Sequence, residues 1–397
     1  MAVTLAGISD ILKNQYLGPI REQLNNDIVL LSRLEKDDES VVGKNFTIPL
    51  HVGRNEGIGA TTDGGTLPTA GNQAYKETIV PMRYLYGRIQ LTGPSMKASR
   101  SNEGAFVRAL ESEMKGLTRD LKTDLNRQLF NDGSGLLATA ASASDATTIT
   151  VDSTAKLRVG MKVDILVKAT GATTAGVVGT TIASITSATV FVVGTGVATF
   201  GSIGTTYGVY RSGARNLEIM GLGGIVNSAD PGSGALQGLA VASYPYWKAN
   251  MLGNSGTGRA ISEALMQTAI DTIAQTGDGE ASAIYTTFGV RRAYQALLTG
   301  TRQYVNTMDL KGGAKAITYD NMPIIADKDC PAGSMYFLDE SALKFYRLSD
   351  FDWMDQDGAV LNRVANTDAY EATLYLYSEL GTSARNAHAK LFDITEA

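Results

Sequence analysis

Residues 253–260 read GNSGTGRA, with Gly253 and Gly258 at the spacing of a phosphate loop. Such a loop turns backbone N–H groups onto phosphate oxygens and needs Lys and then Ser or Thr after its second glycine. Arg259 and Ala260 stand there instead, and the preceding WKANML does not read as an apolar strand, so the stretch is expected to be a flexible loop ahead of a helix. Ser112 and Lys115 have the S-x-x-K spacing of an acyl-transferring serine, but they sit inside a long helical stretch without the accompanying motifs. Asp355, Asp357 and Gly358 match part of a calcium loop, yet Trp353 occupies the place of its first aspartate and no closing glutamate follows. Gly232, Gly234 and Gly238 form a turn with no suitable strand before it. His51, His388 and Cys330 are the only residues of their kinds, and no zinc set, dyad or triad can be assembled from them. The acidic pairs Asp37–Asp38 and Asp327–Asp329 fall in charged loops and are expected to be solvated. No catalytic residue, metal or cofactor is expected.

The elements are more informative than the side chains. From Ser101 to Asn131, Phe106, Leu110, Met114, Leu117, Leu121, Leu125 and Leu129 recur by threes and fours, which aligns them along one face of an α-helix. Ser101 suits its N-cap, and Gly133 its stop. At 1.5 Å per residue this helix is about 45 Å long, enough to span a domain. Before it, NFTIPLHV alternates as a half-buried strand, and Pro49 inside it points to a sheet edge. A second extended run, from Glu77 to Gly93, returns. Between them lies a Gly-rich stretch without apolar periodicity. Either it lacks fixed structure, or it is a long two-stranded tongue with backbone partners from another chain. The strand character of both flanks favours the tongue.

After the helix, residues 138–210 are almost free of charge and rich in Thr, Ala, Val and Gly, with short β-type runs between small-residue turns. They predict five or six strands closed as a small barrel or sandwich whose ends lie close together. Then NLEIM reads as a strand, GRAISEALMQTAIDTIAQTG and FGVRRAYQALLTG as helices, and MPIIAD, SMYFLD and LKFYRL as strands. AYEATLYLYSEL and NAHAKLFDI read as a final antiparallel pair. Residues 4–40 form an interrupted helical arm too short to make a core alone.

Composition agrees with a protein whose surfaces are covered by neighbours. Of the 397 residues only 19% are charged, while 43 are Gly. A net charge of −5 argues against tightly held nucleic acid, though not against enclosing it. A single cysteine excludes an internal disulfide framework. With no signal-peptide pattern and no membrane-length apolar run, a soluble protein made in the cytoplasm is expected.

In this order, the stretches GKNFTIPLHVGRNEGIGA with DGGTLPTAG, then GAFVRALESEMKGLTRDLKTDLNRQLFNDGSG, IYTTFGVRRAYQALL, NMPIIADKDCPAGSMYFLD and SARNAHAKLFDI resemble the major capsid proteins of tailed bacteriophages. The resemblance implies an α+β chain of the Hong Kong 97-like fold. Its parts would be an N-terminal arm (1–44), an extended loop with flanking strands (45–93), and a spine helix of a peripheral domain (94–137). An inserted β module (138–210), a peripheral continuation (211–258), an axial domain (259–367) and C-terminal peripheral strands (368–397) would follow. It implies hexamers and pentamers of one chain, closing as an icosahedral shell around double-stranded DNA without reading its sequence. Neighbouring subunits would be touched by the loop, through Arg54, Glu56, Gly57, Asp63, Leu67 and Pro68, and by the arm, through Ile11, Tyr16 and Leu24. A portal, a separate scaffolding protein (the chain starts directly at the arm) and a cement protein are the further partners, with no membrane, assembly in the host cytoplasm and the virion as destination. Cross-linking is not carried over, because Lys76 sits back at the loop's base and no partner asparagine or catalytic glutamate can be identified. A tail-tube or other virion structural protein is the alternative, though it should lack the long helix and the α/β region.

Overall fold

A computed structural model of the chain describes residues 29–38, 45–94, 103–197, 200–232, 234–277, 279–300, 307–309, 315–355 and 358–397. A short helix, α1 (Val29–Arg33), leads into β1 (Glu35–Asp37). The strands β2 (Asn45–Gly53), β3 (Ala74–Pro81) and β4 (Arg83–Thr92) come next. The long helix is α2 (Glu103–Phe130). Its expected N-cap, Ser101, lies outside the described residues.

Six strands then close a barrel in the order β10-β5-β6-β9-β8-β7. They are β5 (Leu136–Ala143), β6 (Thr148–Val151), β7 (Lys162–Val167), β8 (Val177–Ile185), β9 (Val190–Val193) and β10 (Tyr207–Arg211). Alternation drives the closure: Ile149, Val163, Ile165, Phe191 and Val209 point inward and are fully buried. The first and last strands are direct neighbours, with Ala138 opposite Val209.

The remainder contains α3 (Leu222–Ile225), β11 (Asn250–Leu252), α4 (Glu263–Thr276), β12 (Ala283–Thr286) and α5 (Phe288–Gly300). There follow β13 (Thr307–Asp309), β14 (Lys315–Tyr319), β15 (Met322–Ala326), β16 (Met335–Leu338), β17 (Leu343–Trp353), β18 (Asn362–Arg363), β19 (Ala369–Thr382) and β20 (Ala389–Leu391). Seven strands make a mixed sheet, β11-β20-β16-β12-β15-β14-β13. In the five-stranded sheet, β17 lies between β1 and β19, and β19 also pairs with β18 and, along ten residues, with β4.

The helix α2 packs on the five-stranded sheet. Met114, Leu121, Leu125 and Leu129 are buried together with Leu374, Leu376 and Leu380 of β19 and Phe345 of β17. Each such leucine contributes roughly 1.5–3 kcal/mol. Close approach occurs at Gly87 of β4, where an added Cβ would lie 2.6 Å from Leu121 Cδ1.

Four sequence expectations change. The run from Glu77 to Gly93 breaks at Met82 into two strands serving different sheets, because β3 pairs with β2 and β4 with β19. NLEIM makes only an isolated bridge, Met220 to Asp132, before α3. WKANML does contain a strand, β11, whose three residues are too few to show a period. LKFYRL, read as a strand, begins β17, which pairs with β1 and β19. The two C-terminal strands part company: β19 stays in the five-stranded sheet, while β20 pairs with β11 and β16. Arg385, in the turn between them, fixes that change of sheet by donating to the carbonyls of Ile225, Trp247, Gly224 and Ala229.

Candidate functional site

The β2–β3 ribbon is largely uncovered, and period-two alternation divides its faces. Phe46, Ile48 and Val80 turn toward the body, where Phe46 stacks on Tyr346 at 4.2 Å between ring centroids. Opposite them, His51, Tyr75 and Ile79 are exposed, and His51 Nε2 lies 2.6 Å from Gln73 Oε1. The root is tied down by Ile79 N–H donating to Gln237 O at 2.9 Å, and farther out Leu50 packs against the main core. Beyond it the ribbon runs over a cleft of about 580 Å³. Pro49 to Arg54 line one side of that cleft, and Tyr246, Trp247, Asp339, Ser383 and Asn386 the other.

Residues 54–73 form an irregular tip. Its two limbs nearly touch at Gly57 and Gly71, where an added Cβ on Gly57 would stand 2.8 Å from Gly71 N. Of the loop positions singled out from the sequence, Arg54, Glu56, Asp63 and Leu67 are exposed, while Gly57 and Pro68 are half-buried. Leu67 is 78% exposed, and Ile58, which sequence reasoning passed over, 87%. The arm positions Ile11, Tyr16 and Leu24 lie outside the described residues.

A second uncovered surface is aromatic. In the β4–β19 register Tyr84 faces Tyr377 and Tyr86 faces Tyr375, on the side of the sheet turned away from α2. Tyr84 packs edge-on to Tyr377 with centroids 5.1 Å apart, and Tyr375 lies 4.9 Å from Tyr377. Tyr86 Oη and Tyr377 Oη share a hydrogen bond 3.4 Å long; that bond first, and burial second, push the Tyr377 phenol up to about 12. Tyr84 and Tyr86 remain 54% and 50% exposed. Sequence reasoning missed this cluster, although the signal was present: Tyr-Leu-Tyr occurs at 84–86 and again at 375–377. In a strand that triplet puts two tyrosines on one face and the leucine on the other.

Behind these surfaces, polar groups lock α2 to its neighbours. Arg127 makes a two-pronged pair with Glu218 at 2.6 and 3.0 Å. Burial opposes its charge, but the carboxylates of Glu218 and Asp124 override it and hold the guanidinium protonated. Asp124 also receives Arg211, at the end of the barrel, at 3.1 Å. Asn126 Nδ2 donates to Asp327 and Asp329 at 2.9 and 2.7 Å. These two carboxylates are therefore not solvated, as their charged context suggested; they anchor a loop of the seven-stranded sheet to α2. Burial raises the Asp327 carboxyl.

The remaining chemical candidates are placed as follows. In GNSGTGRA the N–H groups of Asn254 and Gly256 point at Asp393 Oδ2, at 2.8 and 2.9 Å. The cradle is thus filled by the chain's own carboxylate, whose pKa they depress. Cys330 is buried and burial pushes its thiol up. His388 is fully buried, far from His51 in the sequence, and bound to Asp339 N and Thr382 Oγ1. Among the described residues no group of three or more His, Cys, Asp or Glu side chains could hold a metal ion. Nor is any described helix long and apolar enough to cross a membrane.

The chain's fold is similar to that of a chain in the cyanophage A-1(L) capsid asymmetric unit, at 16% identity and a TM-score of 0.58, covering 92% of each chain. Weaker likenesses include the capsid of Myoviridae phage XM1 (9% identity, TM-score 0.45, 91% and 90% covered). Another is the holo-SrpI encapsulin complex of Synechococcus elongatus PCC 7942 (9% identity, TM-score 0.48, 92% and 86% covered). No curated protein matches the sequence. The model of the SU10 major capsid protein family matches residues 110–395. That stretch takes in well over half of the sequence, from within α2 through the barrel to the last strand, so the chain belongs to the SU10 major capsid protein family and is a structural protein of a phage capsid shell.

Proposed function

We propose that copies of this chain close as pentamers and hexamers into an icosahedral shell of the Hong Kong 97-like kind around double-stranded DNA, each copy reaching onto its neighbours through the arm and the β2–β3 tip. In this reading 1–44 is the arm, 45–93 the extended loop with its strands, and 94–137 the spine of a peripheral domain that continues through 211–258 and 368–397. Residues 138–210 are an inserted barrel and 259–367 an axial domain. The seven-stranded sheet supports an axial body and the five-stranded sheet a peripheral one, although β11, β17, β18 and β20 cross between the sequence ranges. The observation that carries the proposal is the ribbon. A tip of about twenty residues holds Ile58 and Leu67 almost fully in solvent, where a lone subunit gains nothing from them.

One sequence must then fit several slightly different environments around a shell, which suits flexible extensions on a rigid helix-and-sheet body. Many weak contacts repeated around the closed surface give it kinetic persistence. The portal and any scaffolding or cement protein are companions of the shell, which is assembled in the host cytoplasm. A net charge of −5 leaves enclosed DNA free to move. The test is negative-stain electron microscopy with light scattering on the full chain and on a variant lacking residues 57–71, each with any scaffolding partner supplied. Shells from the full chain and a folded, unassembled product from the variant are expected. Shells from both would remove the loop from assembly, and an unfolded variant would make it part of the core.

A further inference from the structure

We infer that Asp63–Gly64, at the far end of the ribbon, is a site of spontaneous backbone isomerisation by which a chain left outside a shell ages out of assembly. The effect on assembly rests on the reading above that the tip reaches a neighbour; the isomerisation itself stands apart from it.

Local geometry supplies the reactants. Residues 58–67 are exposed without a break, and Asp63 and Gly64 are the central residues of a tight turn closed by Gly65 N–H on Thr62 O at 2.9 Å. The φ of 73° at Gly64, third in that turn, calls for glycine. Among the described residues, neither the Asp63 carboxylate nor the Gly64 N–H has a hydrogen-bond partner. Gly64 has no side chain to keep its nitrogen off the neighbouring carboxyl. An added Cβ there would meet nothing within 4 Å, so a ring has room to form.

The reaction needs only water. The Gly64 nitrogen bonds to Asp63 Cγ; its proton, one carboxylate oxygen and a proton from solvent leave as water, and a five-membered succinimide remains. Water then opens the ring. Attack on the main-chain carbonyl breaks its bond to the Gly64 nitrogen, so the chain runs on through Cβ and Cγ and the α-carboxylate becomes a branch. Attack at Cγ restores aspartate. No atom changes oxidation state.

Asp132–Gly133 has the same dipeptide in a protected setting. Asp132 Oδ1 accepts the Ser134 N–H at 3.1 Å and the Ser134 hydroxyl, and its backbone bridges to Met220. Gly133 is buried, with Met220 Cε 3.1 Å from where a Cβ would stand. Carboxylate and glycine are both held there, whereas at 63–64 both are free to react.

The product is a longer link with its carboxylate moved. It falls between Ile58 and Leu67, the two most exposed large hydrophobic residues described, and changes their relative placing. A tip seated on a neighbour keeps its turn, so assembled chains are spared and waiting chains are not.

The test uses the full chain, held unassembled by dilution at neutral pH, and follows the tryptic peptide 55–76, whose only aspartate is Asp63. Isoaspartate at 63, assigned by electron-transfer fragmentation, is expected to accumulate ahead of any at 132. No gain at 63, or an equal gain at 132, overturns the site. The aged chain is then assembled with any scaffolding partner supplied, and the isoaspartate fraction is read in shells and in the unassembled remainder. Depletion from shells is expected, and equal fractions overturn the effect on assembly. Asp63→Glu, whose longer side chain closes no five-membered ring, is expected to age without loss of shell yield; a loss matching that of the unsubstituted chain also overturns it. If fresh Asp63→Glu forms no shells, the comparison of fractions decides alone. Should the 57–71 deletion still give shells, the loop's role in assembly falls, while isomerisation at Asp63 is judged by its own measurement.

Discussion

At the scale of single residues, this chain uses its buried polar groups to hold segments together. Arg385 is the clearest case: fully buried, it donates to four carbonyls of the 224–247 stretch. Arg385→Ala would leave those acceptors unpaired in a dry site, with an expected loss of about 3 kcal/mol, read from the urea midpoint. His388 gives a pH dependence. Its Nδ1 accepts the Asp339 N–H, its Nε2–H faces Thr382 Oγ1, and burial holds its pKa down to about 4. In the unfolded chain the imidazole takes its proton near 6.5. The contribution is therefore full above about 6.5 and is lost as pH falls through 4, about 3 kcal/mol in all. Glu379, pushed up to about 8 by burial against the opposing effect of Arg83, acts in the contrary sense, losing stability as pH rises through 8. The His388 effect is accordingly measured as the difference between wild type and His388→Gln in urea melts across pH 4 to 7; a constant difference would refute it. Arg385 and His388 were visible in the sequence, but not their burial, because the groups that meet them come from other segments, 224–247 for Arg385 and the Asp339 turn for His388.

Among the elements, α2 and β4 were legible and their contact was not. The three-and-four spacing of leucines specifies a helix with one apolar stripe, and alternation specifies a strand. Neither periodicity says which strand the stripe will meet. The structure puts it over Gly87, where even a Cβ would crowd Leu117 and Leu121. Gly87→Val is expected to cost about 1–3 kcal/mol by overpacking, with a lower melting temperature and unchanged secondary structure. A neutral result would mean that the helix can move off the sheet. The barrel was legible for a complementary reason: β5–β6, β7–β8 and β8–β9 are consecutive strands and the other pairings stay within residues 136–211, so alternation and turns in one stretch reveal it. Long-range pairings were misread, as with β20, whose three residues carry no period and which bonds instead to β11 and β16.

For the whole molecule, the barrel is a separable body held by its ends and by ion pairs. Tyr210 lies opposite Leu136, a few ångströms across an antiparallel pair. Replacing residues 138–210 with a linker of about four residues is therefore expected to leave the two sheets folded. It removes Arg158, which faces Asp120 of α2, and most of the strand that holds Arg211 against Asp124, and the shell is expected to form but to break at a lower temperature, which thermal light scattering would register. Unchanged shell stability would deny the barrel a stabilising role. Order along the chain, the apolar stripe of the long helix, the charge-poor β stretch and the Gly-rich loop between two strands were determined by the sequence alone, because each is a local periodicity or a local composition. The family reading followed from that order and stands with residues 110–395. Only the tertiary structure could decide that β17 and β20 exchange sheets, that Asp327 and Asp329 anchor α2, that Asp393 fills the glycine loop, and that two distant Tyr-Leu-Tyr triplets meet as one exposed platform. Each of those depends on which remote segments pack together, and packing is set by the fit of whole surfaces that no short window of sequence contains.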